Sequence, residues 1–456
     1  MLIFKRSHQA AAYNASILEK FNFDLDEVIR NQHPSQISYG SEFRPIEALE
    51  SILVDHPLWH HLKEILSRGA HFPLADICDA DRLSDLSFHQ DRGNHKSLSK
   101  YREFIDPIIT EDIERGFALP LPPDILHKLG KTSLAPLGCH KQTSMNASGE
   151  VIPKYRLTHD QSFAGPSGLS VNLRTQKEKL PPIMYSFVLS RLIHYIVNIR
   201  RILPDTKIFI FKFDIDAAYQ RCSMSYAISL ESLTLVDGLL LVALQLTFDG
   251  SSCPNLWSVI SESMTDIANS LLHNEFWGHN TLYNSLSNDL EDPLSLDDNV
   301  PFHPAKDLSV TLPDNLLGYA DIYIDDTIGI TPDLGDNSKR LSRAIPLAIY
   351  SIARPSDDRD VIPREDIISM KKFKVEGRLE EVKKVLGWIL NTRSLTLSLP
   401  HDKLSDWSRD IRKLISRKKS HFKFLESLLG KLNHVACSFP PMRHYMGRLY
   451  QALQRS

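Results

Sequence analysis

Cysteine is scarce in this chain. Its 456 residues hold five, Cys78, Cys139, Cys222, Cys253 and Cys437, scattered, odd in number and never in a Cys-x-x-Cys pair. That argues against a disulfide framework and against a zinc site, and it fits a reducing intracellular compartment, cytoplasmic or nuclear. Long apolar runs are lacking too. The longest, Leu239 to Leu244, is far too short to span a bilayer. The opening MLIFKRSHQ reaches charge after four residues, so no signal peptide is expected. There is no internal repeat, no low-complexity segment and no overall excess of either charge, the net being -3. A hydrophobic content of 42% with 24% charged residues is that of an ordinary globular protein, and the length predicts two to four domains.

What is present is unevenly distributed. Residues 1 to about 120 read as helices and loops, with helical periodicity over Leu49 to Leu66 and the end of a short helix at Glu111 to Phe117. Short strands and turns dominate from Leu134 to Asn172. Pro182 to Leu203 reads as a helix. Gly238 to Phe248 reads as a buried strand and Asn255 to Leu272 as a helix with Leu256, Val259, Ile260, Met264 and Ile267 on one face. Thr281 to Val300 carries Asp289, Glu291, Asp292, Asp297 and Asp298 with no lysine or arginine, the pattern of a solvated loop without function. Val385 to Leu390 reads as a strand, with LTLSLP as its partner. Three amphipathic helices close the chain. From His401 to Ser456 there are 12 Lys and Arg against 4 Asp and Glu, a local net of +8 that the total conceals.

Two stretches raise a chemical question. IFIFKFDIDAAYQ alternates Ile208, Ile210 and Lys212 with Phe209, Phe211 and Phe213, a strand pattern of period two. It ends in Asp214 and Asp216, both on the face opposite the phenylalanines. Further on, GYADIYIDDTIGITP places two β-branched runs around Asp325-Asp326, a hairpin signal. Each motif alone reads as a turn former or a helix cap. Together they supply carboxylates for a divalent cation, since Mg²⁺ takes one or two protein carboxylates plus substrate phosphates. Two neighbouring antiparallel strands would bring Asp214 and Asp325 together.

FKFDIDAAY resembles the first aspartate motif of reverse transcriptases, and YIDD (Tyr323 to Asp326) resembles their Tyr-x-Asp-Asp box. YRLTHDQSFAGPSGLSVN is similar to their fingers motif, LTFDGSSCP to the turn before a helix, and VLGWIL to the primer-grip hairpin. All five stand in the family's order between Leu134 and Leu453, most like LTR-type (Gypsy-like) or DIRS-like eukaryotic retroelements. The resemblance implies an α+β right-hand polymerase: fingers over 121–200, palm with interleaved fingers segments and acidic insertions over 201–395, a helical thumb over 396–456, and a helical N-terminal extension over 1–120.

It also implies roles. Asp214 and Asp325 would hold two Mg²⁺ (or Mn²⁺) ions, with Asp326 in support and Ile215 contributing its carbonyl. Lys141 and Arg156 would bind the incoming deoxynucleoside triphosphate, and Lys374, with Lys371 or Lys372 as substitutes, would protonate pyrophosphate. Tyr219 would be the steric gate against ribonucleotides. Phe248, Gly250 and Pro254 would shape the nascent-pair pocket, while Leu386, Gly387 and Trp388 would grip the primer. Asp216 has no required role, and a solvated or structural acid is expected there. The partners would be an RNA or DNA template with its primer. Asp249 departs from the family's glycine, and Thr247 from its proline. No RNase H, integrase or protease motif follows the thumb within this chain. Two rival readings are a nucleic-acid-binding retroelement relic without activity, which Asp249 keeps open, and an Asp-x-Asp glycosyltransferase using Asp214 and Asp216.

Overall fold

The computed structural model describes residues 1–33, 37–145, 151–281, 290–306, 316–417 and 419–454. Asp289 and the first part of the acidic stretch lie outside them. The molecule mixes helix and strand, at 48% and 17%.

The sheet that matters most joins three strands, β4 (Ile208–Asp214), β7 (Tyr319–Tyr323) and β8 (Asp326–Pro332), in the antiparallel order β4-β8-β7. Period two sorts β4 as its sequence demands. Phe209, Phe211 and Phe213 enter the largest core, against the long helix Cys253–His273 and the helix Asn337–Ile352, with Phe373 edge-on to Phe211 and Phe213. Ile208 and Ile210 enter a second core with Val188, Leu192 and Ile196 of the helix Val188–Ile202. Each fully buried phenylalanine contributes roughly 2 kcal/mol of hydrophobic stabilisation, so the strand is fixed in register from both sides. The outer edge of β4 is closed by Glu380, which exchanges backbone hydrogen bonds with Ile210.

Among the described residues there are three further sheets. The strand β1 (Ala118–Leu121) pairs with β6 (Leu239–Ala243), which pairs with β5 (Leu233–Val236). A long hairpin joins β2 (Leu137–Met145) to β3 (Val151–His159). The strand β10 (Trp388–Asn391) lies between β9 (Val382–Val385) and β11 (Thr396–Ser398). VLGWIL is therefore not one strand. Leu386 and Gly387 both take positive φ, 48° and 83°, and turn the chain between β9 and β10. The pairing with LTLSLP is as expected.

Before residue 120 the chain is mostly helical. The periodicity of Leu49 to Leu66 is broken at Pro57 into Ile46–Leu53 and Trp59–Arg68, whose Leu49, Leu53, Trp59, Leu62, Ile65 and Leu66 join the main core. The described part of the acidic stretch is not simply solvated. Arg393, buried against Glu381, donates to the carbonyls of Asp297 and Val300, and its guanidinium and that of Arg200 lie 4.4 and 4.6 Å from the Phe302 ring centre. The tail forms the helices His401–Arg417, Phe422–Ser438 and Arg443–Gln454 around Leu425, Leu428, Leu429, Leu432 and Met446. Among the described residues no helix is long and apolar enough to cross a membrane.

Candidate active site

Backbone pairing brings the two acidic motifs together. Asp214 is the register partner of Asp326, and the Ile215 N–H donates to the Asp325 carbonyl at 2.7 Å. Asp325 stands in the two-residue turn between β7 and β8, since Tyr323 and Asp326 are themselves paired. Its companion Ile324 takes φ 58°, a left-handed conformation that strains a β-branched residue. The Ile324 carbonyl accepts from the buried indole N–H of Trp257, 2.8 Å away on the long helix. Beneath the turn, Asp321 is fully buried in a two-pronged pair with Arg191, at 2.7 Å for each contact.

The carboxylates meet two ammonium groups. The Lys212 ammonium lies 3.0 Å from Asp326, 2.7 Å from Glu376 and 3.5 Å from Asp214. Lys372, on the short helix Met370–Glu376, pairs with the other oxygen of Asp214. Burial pushes the Asp214 carboxyl up, but Lys372 and Lys212 outweigh it and hold it below the ordinary range. Burial and the charge of Asp214 raise Asp325. Burial raises Asp326 as well, with Lys212 pulling the other way and Asp214 adding to the rise. Among the described residues no three His, Cys, Asp or Glu side chains converge into a ready cage for a metal ion. The donor set is instead the buried Asp214 at the end of β4 and the half-buried Asp325 in the turn beside it. That suits a hard cation completed by substrate oxygens.

The hairpin β2–β3 supplies cations to the same place. Burial, then Arg156 and Lys372, lower the Lys154 ammonium, and Asp325 and Asp214 act on it in the opposite sense. Lys154 and Arg156 share one face of β3. Lys141 does not: it pairs with Tyr155, and its ammonium sits 5.8 Å from that ring on the other face. Arg156 lies 5.7 Å from the centre of the Phe248 ring, and Phe248 meets the buried Tyr219 edge-on at 5.9 Å. Gly250 is required by close approach, because a Cβ there would stand 2.5 Å from the Cys253 sulfur and 3.0 Å from the Gln161 side-chain oxygen. Pro254 is in the first turn of the long helix.

Other expected residues fall elsewhere. Lys374 is exposed and follows Lys372 by about 200° around their helix, so Lys372 is the lysine on the acidic cluster. The side chain of Lys371 lies outside the described ones. Trp388 is buried and stacked on His434 at 5.3 Å, and Leu386 packs on the isoleucine-lined core, which leaves Gly387 at the hairpin tip. Asp216 pairs with Arg221 at 3.4 Å and with Arg115 at 3.7 Å, so two guanidinium groups already occupy it. Asp249 is exposed. The neighbouring Asp160 charge acts to raise its carboxyl, and its carbonyl accepts from Asn172. The sequence reading passed over Lys212, Lys154 and Trp257. For the two lysines the signal was there: each stands two residues before an expected site residue on the same strand face.

No family model and no curated protein matches the chain. Solved structures do match. One is a foamy viral protease-reverse transcriptase in complex with double-stranded DNA, at 10% identity and a TM-score of 0.44 over 91% of this chain and 56% of that one. Another is a foamy viral protease-reverse transcriptase in complex with an RNA/DNA hybrid, at 11% and 0.38 over 90% and 46%. A third is the native Prototype Foamy Virus protease-reverse transcriptase, at 12% and 0.33 over 90% and 46%. This chain spans about half the length of those solved proteins.

Proposed function

We propose that the chain is a template-directed DNA polymerase of the reverse-transcriptase type, from a retroelement of the LTR or DIRS kind, with the right-hand arrangement its motifs imply. The observation that carries this reading is the pairing of β4 with β8. It sets Asp214 against Asp326 and bonds Ile215 to Asp325, beside a hairpin face carrying Lys154 and Arg156.

The reaction joins a primer 3′-hydroxyl to the α-phosphate of a deoxynucleotide and releases pyrophosphate. Such catalysis rests on positioning and charge stabilisation. Asp214 and Asp325 are the residues that would hold divalent ions. Bound there, Mg²⁺ or Mn²⁺ would lower the pKa of the attacking hydroxyl and offset charge on the phosphates. Arg156 offers a planar fork to the triphosphate, and Lys154 takes the role first expected of Lys141. Lys372, which pairs with Asp214, would give a proton to the leaving pyrophosphate in place of Lys374. Tyr219 and Phe248 wall the sugar and base. Gly250 lets the turn approach Gln161. The basic helical tail adds sequence-independent, salt-sensitive affinity for template and primer.

Primer extension on an RNA template tests this. The parent extends with Mg²⁺ or Mn²⁺, and Asp325→Asn loses about a thousandfold or more while still binding the duplex. Binding without extension by the parent would instead support a relic.

A further inference from the structure

Lys212 differs from the other cations around the acidic cluster. It grows from the same strand as Asp214, two residues earlier on the same face, and its side chain is only 12% exposed. Its ammonium has three protons, and three carboxylates surround it: Glu376 at 2.7 Å, Asp326 at 3.0 Å and Asp214 at 3.5 Å. Lys372 is 47% exposed and reaches Asp214 from a short surface helix. One ammonium can swing out to solvent. The other is enclosed and stays.

The four acids are therefore not equivalent. Asp326 opens β8, lies across from Asp214 in the ladder and spends an oxygen on Lys212. Glu376, at the end of the lysine helix, is drawn onto the same ammonium. Asp325, in the turn, forms an ion pair with neither Lys212 nor Lys372, and of the two only the Lys372 charge acts on its carboxyl. We propose that Lys212 is a positioning residue that withdraws Asp326 from the ion-binding set. It leaves Asp214 and Asp325 as the two carboxylates that take divalent cations once Lys372 moves aside. The proposal rests on the polymerase reading above.

Mn²⁺ binding to the full chain, followed by electron paramagnetic resonance without nucleotide or nucleic acid, tests it, with primer extension run beside it. Asp325→Asn should weaken Mn²⁺ binding by about tenfold or more, and Asp326→Asn by less than about threefold. Lys212→Met frees Asp326, tightens Mn²⁺ binding by about tenfold and lowers kcat with little change in KM for the nucleotide. Adding Asp326→Asn to Lys212→Met returns the affinity to that of the parent, the coupling expected of residues acting through each other. Equal loss in Asp326→Asn and Asp325→Asn overturns the proposal, and so does unchanged affinity in Lys212→Met. If Lys212→Met does not fold, the comparison of the two asparagine variants decides alone. A parent that neither binds Mn²⁺ nor extends a primer sinks the polymerase reading and this proposal with it. A parent that does both, with variants that break the pattern, sinks only the role of Lys212.

Discussion

Asp214 shows what a single position in the sequence can reveal. Period two put it on the face away from three phenylalanines, and β4 folds that way because both of its faces are buried. Which lysine accompanies it was not legible. Lys371, Lys372 and Lys374 are neighbours in one run, and only the phase of the short helix, set by the burial of Phe373, selects Lys372. Lys141 failed for a similar reason: the strand's face is fixed by pairing with Tyr155, which the sequence does not announce. Tyr219 carries the prediction at this scale. Its ring is buried against Phe248, so Tyr219→Val should admit ribonucleotides, with discrimination falling by about a hundredfold in competitive extension.

Among the elements, the β7–β8 turn is the one under strain. Ile324 is held left-handed by contacts on both sides of the turn, the Trp257 indole and the Ile215 amide. Trp257→Phe keeps most of the packing and leaves the Ile324 carbonyl without its donor. Urea unfolding should show a loss of about 1–3 kcal/mol, and extension should show a fall in kcat larger than any change in KM. The existence of the hairpin was plain from β-branched runs around two acids. The strain was not, because φ depends on the register that closes the turn. VLGWIL was misread as one strand for a related reason: an apolar run conceals a two-residue turn whose glycine comes second.

For the molecule as a whole, the first 120 residues carry no chemical motif, yet they are tied firmly to the rest. Glu231 lies between Arg82 and Arg174, with oxygen contacts of 2.9 to 3.1 Å, all three side chains nearly enclosed. Glu231→Gln leaves two buried guanidinium groups with reduced compensation and should cost about 3–5 kcal/mol in denaturant unfolding. Burial pushes the Glu231 carboxyl up, but Arg174, Arg82 and Ser133 overcome it and hold it at about 2. Its folded value is thus below its unfolded one. The stabilisation is complete above the ordinary carboxylate range and drains away as pH falls towards 2. A urea midpoint that falls less in Glu231→Gln than in the parent as pH drops from the ordinary carboxylate range towards 2 is the expected signature. The tail's net of +8 acts at the same scale. Replacing Lys413, Arg417 and Lys419 by glutamine should weaken duplex binding alike for all sequences and reduce the slope of log K against log salt by about 3. The uneven charge was visible in the sequence. The Arg82–Glu231–Arg174 knot was not, because its members are separated by more than fifty residues and are ordinary surface types.

One measurement bears most directly on the central claim that Asp214 and Asp325 jointly hold the ions of the reaction. The chain would be crystallised with a primed template, a matching deoxynucleotide and Mn²⁺, and its anomalous scattering mapped. The account predicts an anomalous peak beside the carboxylates of both Asp214 and Asp325, with Lys372 displaced from Asp214. A nucleotide bound with no Mn²⁺ between those two side chains would contradict it.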